Sequence, residues 1–293
     1  MRRGLAVLVA ALALCGTASA AEPISIPWET LLPALPGPAG NSGGPQPHCQ
    51  RATLRCVTRE VRKLRRLRNR FGCDHRAVFA TTYLELTKEL RRTLRRDPGF
   101  FRDRRALIYE DVLFAEVYFR TVRAWDRGQA VDPAWRIAFE NAASGDGQGV
   151  GDMLLGINAH VQNDMPFVLA AITLRDADGR SRKPDHDRMN EVLNQAFETV
   201  VKQVSARYDP LAALETHQLS PVTDYFGIEL VRVMREAVWR NAERLVQART
   251  PAQYQLVADS IHGQAEATAQ LIRTSLIGPP GWRARRDAYC ARH

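Results

Sequence analysis

His160 and Asp164 stand four residues apart in the segment Met153-Leu-Leu-Gly-Ile-Asn-Ala-His-Val-Gln-Asn-Asp-Met-Pro-Phe-Val-Leu-Ala-Ala-Ile172. One helical turn separates them, so an imidazole and a carboxylate face the same way. At that spacing the pair can ligate a divalent metal together, or the carboxylate can orient the ring so that it works as a base. The segment is otherwise apolar, yet Asn158, His160, Gln162, Asn163 and Asp164 are polar. Buried polar groups need partners, so this stretch either supports a site or carries an internal hydrogen-bond network. Pro166 lacks an amide, which leaves the Gln162 carbonyl without its helical donor.

Two readings of the pair stand side by side. In one, His160 and Asp164 are catalytic or metal-ligating. In the other, Asp164 caps a new helix at Met165, with Pro166 in its first turn, and His160 is a satisfied core histidine. A third acid bears on the choice. Leu107, Asp111, Phe114, Tyr118, Thr121 and Trp125 share one wedge of a helix, so Asp111 also points inward and needs a partner. His160 is the expected one. Glu110 falls at the edge of that wedge and Glu116 opposite it. His186 and Asn190, at the start of a later helix, and His262, beside the Tyr254/Ile261/Ala265 stripe, are candidate supporting groups with Asn158 and Asn163.

Other chemistries lack support. No Ser, Cys or Lys sits in a nucleophile elbow or beside a base motif. Ser144 to Gly149 follows no strand and lacks the Lys-Ser/Thr ending of a phosphate-cradling loop. The acids of Asp185-His-Asp187 also suit a helix's first turn.

The elements that position these residues are helical, and no alternating strand pattern is found. Leu54, Val57, Val61 and Leu64 make one stripe of a helix over 50–70, and Asp74 opens a second helix through Arg96. A third runs from about Asp103 to Trp125, and a short one opens at Asp132-Pro133 and runs through Asn141. The polar-in-apolar helix follows. Later helices begin near Asp185, at 223 and at Pro251, and Gly278-Pro-Pro-Gly281 is expected to end regular structure. The expected fold is all-α, a single bundle of about seven or eight helices over 49–293 with an irregular C-terminal tail.

Before it, residues 1–20 read as a signal peptide: Arg2 and Arg3, an apolar run Leu5 to Leu14 too short to span a bilayer, then Ala18-Ser-Ala20. Residues 21–48 read as a disordered Pro/Gly-rich leader. No later apolar run is long enough for a membrane span, so a soluble, exported protein, periplasmic or extracellular, is expected.

Cys49, Cys56, Cys73 and Cys290 remain after cleavage, an even number that suggests two disulfides in an oxidising compartment. If residues 50 to 70 are helical, Cys56 reaches Cys49 only if Cys49 precedes the helix. Cys56–Cys73 and Cys49–Cys290 are the favoured pairs. Zinc is disfavoured because no Cys-x2-Cys pair exists.

The net charge is +9, with Arg far outnumbering Lys. Arg51 to Arg70 carries eight Arg and Lys63 against Glu60 alone. Such a face suits a polyanion or an anionic surface, although it lacks aromatic platforms for base stacking. A solvated helix face is the plainer alternative.

Gly156-Ile-Asn-Ala-His160-Val-Gln-Asn-Asp164, Asp111-Val-Leu-Phe-Ala-Glu-Val-Tyr-Phe119, Pro133-Ala-Trp-Arg136 and Tyr83-Leu-Glu-Leu-Thr87 together resemble a bacterial family known as domain of unknown function 5995. The resemblance covers about residues 55 to 250 and implies a single helical domain, with no established activity attached. Ile157 and Val161 depart mildly from its pattern, and the Arg-rich first helix and the cysteines are particular to this chain. A weaker likeness joins His160 and Asp164 to the His-x3-Asp fragment of the zinc-dependent phospholipase C and single-strand nuclease class. The His-rich remainder of a three-zinc site has no counterpart among seven histidines, which leaves one divalent metal or none.

Two functions follow as expectations. One is a metal-assisted hydrolase of phosphoester-like substrates at His160, Asp164 and Asp111, which requires a pocket open to solvent. The other is a non-catalytic envelope or secreted binding protein that uses the Arg51–Arg70 face.

Overall fold

The hydrophobic stripes seen in the sequence become helices in the computed structural model, which describes Cys49, residues 51–209 and residues 221–293; of residues 221–228 and 230 only the helical backbone is described. The expected signal peptide (1–20) and leader (21–48) lie outside the described residues. In chain order the helices are α1 (Leu54–Phe71), α2 (Arg76–Arg96), α3 (Arg104–Asp126), α4 (Pro133–Ser144) and α5 (Gly149–Ile157). A π-helical turn (Asn158–Asp164) follows, then α6 (Met165–Ile172), α7 (Lys183–Tyr208), α8 (Pro221–Gln247), α9 (Pro251–Ser275) and α10 (Trp282–Cys290). Isolated bridges pair Gly147 with Ile277 and Arg175 with Ser181. The fold is an all-α bundle.

Local chemistry explains most boundaries. α1 buries Val57, Val61, Leu64 and Leu67 at helical spacing and leaves its arginines outside. Each wholly buried leucine, such as Leu64 and Leu84, contributes roughly 2 kcal/mol through removal of apolar surface from water. Asp103 accepts the Ala106 amide and Thr250 accepts the Gln253 amide, so α3 and α9 begin on side-chain caps. Asp74 accepts the Arg76 amide at 2.9 Å, and α2 begins there.

The apolar stretch 149–172 is not one helix. The Met165 amide reaches back five residues to the His160 carbonyl, and this wider turn suits a place where Pro166 can offer no amide to Gln162. α4, α5, α6, α8 and α9 pack around the π turn, with α3 touching it more lightly. α5 approaches α2 closely because Gly156 has no side chain: a Cβ there would lie 2.2 Å from the Phe79 ring. The turn therefore sits inside the bundle.

Two expectations are corrected at the chain's ends. The disulfides are Cys49–Cys56 and Cys73–Cys290, not Cys56–Cys73 and Cys49–Cys290. α1 starts at Leu54, so Cys49 precedes it, and the left-handed turn at Ala52 (φ 44°) folds the chain back until the Cα atoms of Cys49 and Cys56 are 5.6 Å apart. The tail is not irregular either. After Pro279-Pro280, Gly281 adopts φ 75° and α10 follows.

α10 brings Arg286 into the interior. There its guanidinium, 1% exposed, meets Asp152 at 2.8 Å and donates to the carbonyls of Gly147 and Tyr208. His75 lies against the same guanidinium (3.1 Å) and bonds Asp287 through Nε2. The Cys73–Cys290 bond ties the end of this helix, which packs on α7, to the turn before α2.

Candidate functional site

Asp164 is the hub of the polar cluster. Its Oδ2 accepts from Trp135 Nε1 at 2.9 Å and lies 3.0 Å from His160 Nδ1, while its Oδ1 accepts from Asn163 Nδ2 at 2.8 Å. It does not cap α6: its backbone is right-handed helical and no cap bond forms. The carboxylate is spent inside the bundle instead. Asn163 extends the network outward, donating to Asp132 at 3.2 Å and meeting His262 Nδ1 at 2.7 Å. His262 in turn stacks on Phe167. Asn158 sits one turn earlier and donates to the Ala265 carbonyl of α9 at 2.8 Å.

With Nδ1–H donating to the Asp164 carboxylate, the neutral His160 ring keeps its lone pair on Nε2. That atom is buried and has no hydrogen-bond partner. Aromatic rings enclose it. Phe114 lies parallel to the imidazole at 3.5 Å between centroids, Tyr83 meets it edge-on at 4.8 Å, and Phe79, Tyr118 and Trp135 complete the wall. Burial lowers the His160 pKa, and Asp164 only partly opposes that, so the ring is neutral at pH 7.

Asp111 does face inward, but not onto His160. Its Oδ2 is buried without a hydrogen bond, and its pKa is pushed well up by burial and then by Glu60 and Glu110. It therefore holds a proton where an ordinary aspartate would not. Tyr83, whose hydroxyl also lacks a partner, lies in the same field: after burial, Asp111, Glu60 and Asp164 raise its pKa in that order. Asp111 and His160 are thus neighbours of Tyr83 and Phe114 rather than a bonded pair.

His186 and Asn190 are elsewhere. His186 bonds the Arg235 carbonyl through Nε2 at 3.1 Å and packs on Trp239, and no hydrogen bond or ion pair joins it to the His160 cluster among the described residues. The Asn190 carbonyl oxygen is buried without a partner.

The donor set does not fit a metal at His160 and Asp164. Asp164 Oδ2 already accepts two hydrogen bonds, Oδ1 a third, and His160 Nδ1 is engaged with it, leaving Nε2 alone among rings. No group of three or more His, Cys, Asp and Glu side chains is arranged to hold a metal ion among the described residues. Nor does the cluster open to solvent, since His160 is 1% and Asp164 4% exposed.

Sequence reasoning missed Trp135 as the indole donor to Asp164, and Phe114 as the ring beneath His160. A buried Trp needs a partner for its N–H, and that need is the signal Trp135 offered. It also missed the charged knot of Arg286, Asp152 and His75, because nothing in the Arg-rich tail distinguishes Arg286 from its exposed neighbours.

No helix among the described residues is long and apolar enough to cross a membrane. No curated protein and no solved structure matches the chain. A family model does match, over residues 57–275, and it takes in α2, the aromatic wall and the whole π turn with its Asp164 hub. By that match the chain belongs to the family of unknown function DUF5995.

Proposed function

We propose that the protein is exported and works as a non-catalytic binding protein, holding a polyanionic chain on the face formed by α1 and α2. One observation carries the reading. Arg62 and Arg65 of α1 and Arg91 and Arg95 of α2 come close enough that, after burial, guanidiniums from both helices depress the Arg91 pKa. Among the described residues, none of those four arginines has a carboxylate within ion-pair distance. Arg51 just before α1, and Arg55 and Arg66 on it, extend the exposed basic surface.

Like charges gathered on two packed helices cost stability unless counter-ions or a ligand screen them. A polymer carrying phosphate or sulfate supplies that screening along its length. The face has no aromatic platform, so stacked bases find no purchase. The two disulfides and the signal-like residues 1–20 support export.

The test is salt-dependent retention on heparin by the wild type and by a variant combining Arg62→Gln, Arg65→Gln, Arg91→Gln and Arg95→Gln. The expected result is weaker retention and a log–log salt slope smaller by about three. An unchanged slope sinks the reading, as does binding to anionic lipid vesicles without binding to heparin.

A metal-assisted phosphoester hydrolase at His160, Asp164 and Asp111 is the second reading. The unpartnered Nε2 of an Asp-oriented imidazole favours it. The enclosure of the ring by aromatic side chains and the committed donors of Asp164 weigh against it. Phosphodiester cleavage that is abolished by His160→Phe in a folded variant would restore it.

A further inference from the structure

A half-open cleft of about 390 Å³ lies between the N-terminal turn of α3 and the loop leading into α7. Arg102, Arg105, Arg180 and Arg182 line it, with Tyr109 and Ala106. Three of the arginines are clamped. Arg102 meets Asp176 at 3.4 Å and donates to the Ser181 carbonyl, Arg180 meets Asp176 at 3.1 Å, and Arg182 meets Asp103 at 2.9 Å. Arg105 is different. Among the described residues it has no carboxylate within ion-pair distance; it reaches the Tyr109 hydroxyl at 3.5 Å, and Asp103 acts on it only through space. A frame of paired arginines thus presents one guanidinium with no direct carboxylate contact among the described residues, and its planar fork of donors suits an oxyanion.

The inner wall of this cleft, at Asp103, Ala106, Ile172 and Arg182, is shared with a smaller cavity of about 10 Å³, room for roughly one water. Glu110, Asp185, His186 and Trp239 line that cavity. His186 is 2% exposed. Its Nε2 meets a carbonyl and so carries the proton, which leaves Nδ1 a buried acceptor with no donor. Thr173, also on that wall, is held at φ 70°, a costly conformation for a β-branched residue, by an Arg182 hydrogen bond of 2.7 Å to its hydroxyl. Such strain tends to gather at ligand-binding places.

We propose that this cleft binds a small organic oxyanion, a carboxylate or a phosphate or sulfate ester, with the acidic group on Arg105 and the charge of Glu110 behind it setting the affinity. The site is separate from the α1/α2 face and does not depend on it. Burial raises the Glu110 pKa, Arg235 opposes it, Asp185 adds to the rise and Arg182 opposes it again, and the balance stands at about 7. The neutral His186 and the apolar Leu169 and Ile172 complete the surroundings. Glu110 therefore gains charge across neutrality, and an anion in front of it is repelled as pH rises.

The experiment is calorimetric titration of the full chain with sulfate and, separately, with malonate at pH 6 and pH 8. Saturable binding of at least one probe is expected, weaker at pH 8. Sulfate alone identifies a tetrahedral head group, malonate alone a carboxylate. Arg105→Gln should weaken binding about tenfold or more, the loss expected for one charge-assisted bond, while Arg62→Gln on the other face leaves it unchanged. Glu110→Gln should keep the binding and abolish its dependence on pH. The proposal is overturned if neither probe saturates, if Arg62→Gln weakens binding as much as Arg105→Gln, or if the pH dependence survives Glu110→Gln.

Discussion

The imidazole of His160 lies flat on the Phe114 ring, with 3.5 Å between centroids and 5° between planes, while its Nδ1 edge is held by Asp164 at 3.0 Å. Position and orientation of the ring are thereby set by two different helices, α3 from below and the π turn from the side. This makes the pair a structural lock, and its removal has a distinct energetic signature.

His160→Ala is expected to cost about 3–5 kcal/mol, because it opens a cavity among five rings and strips Asp164 of one of its three donors. His160→Phe should cost clearly less, since it keeps the ring packing and leaves Trp135 and Asn163 on the carboxylate. Urea unfolding of the two variants compares them. Equal losses would show that packing contributes little at this position.

Stability should fall on the acid side as the buried histidines charge. The folded pKa values of His160 and His186 are lowered, so the unfolded chain binds protons more readily than the folded one as pH drops through the ordinary histidine value near 6.5. Their contribution is complete above that value and is lost progressively below it. In His160→Phe the loss between pH 7 and pH 5 should be shallower, which thermal melts across that range would reveal.

Glu110 works in the opposite direction. Its folded pKa is raised from 4.5 to about 7. The folded state therefore holds a proton that the unfolded chain has released, and stability declines as pH rises through that window. Glu110→Gln should be more stable than wild type at pH 8 by up to about 3 kcal/mol and nearly equal to it at pH 4. A gain that does not grow with pH would contradict this account.

The two disulfides should differ in worth. Cys73–Cys290 spans 217 residues and Cys49–Cys56 spans seven, so loop-closure entropy assigns them about 5 and about 2 kcal/mol. Paired Cys→Ser variants measured by denaturant unfolding check the order. The longer bond also seats Arg286 against Asp152, so loss of that bond and Arg286→Met should be less than additive.

Much of the architecture was legible in the chain because burial follows periodicity. Val57, Val61 and Leu64 on α1 read as an inward stripe and are buried. Asp103 read as a helix start and caps α3, and the helix read to begin at Pro251 is capped by Thr250. The polarity of Asn158 to Asp164 against an apolar background pointed to an internal network, since polar groups placed among such residues need partners. Which partners they find is another matter. Trp135 lies 29 positions from Asp164 and Ala265 lies 107 from Asn158, and periodicity carries no information about contacts at such distances.

Amino-acid order alone thus determined the helical class, the inward faces and the segment that hides polar side chains, all of which follow from local spacing and the cost of exposing apolar surface. Only the tertiary structure decided that the turn at Asn158 widens into a π-helix, and that Asp164 spends its oxygens on Trp135, His160 and Asn163. It alone separated His186 from His160, joined Cys73 to Cys290, and placed Arg105 in a cleft with no direct carboxylate contact among the described residues. Those outcomes depend on how helices distant in sequence meet, and a side chain's partner and charge state are properties of that meeting.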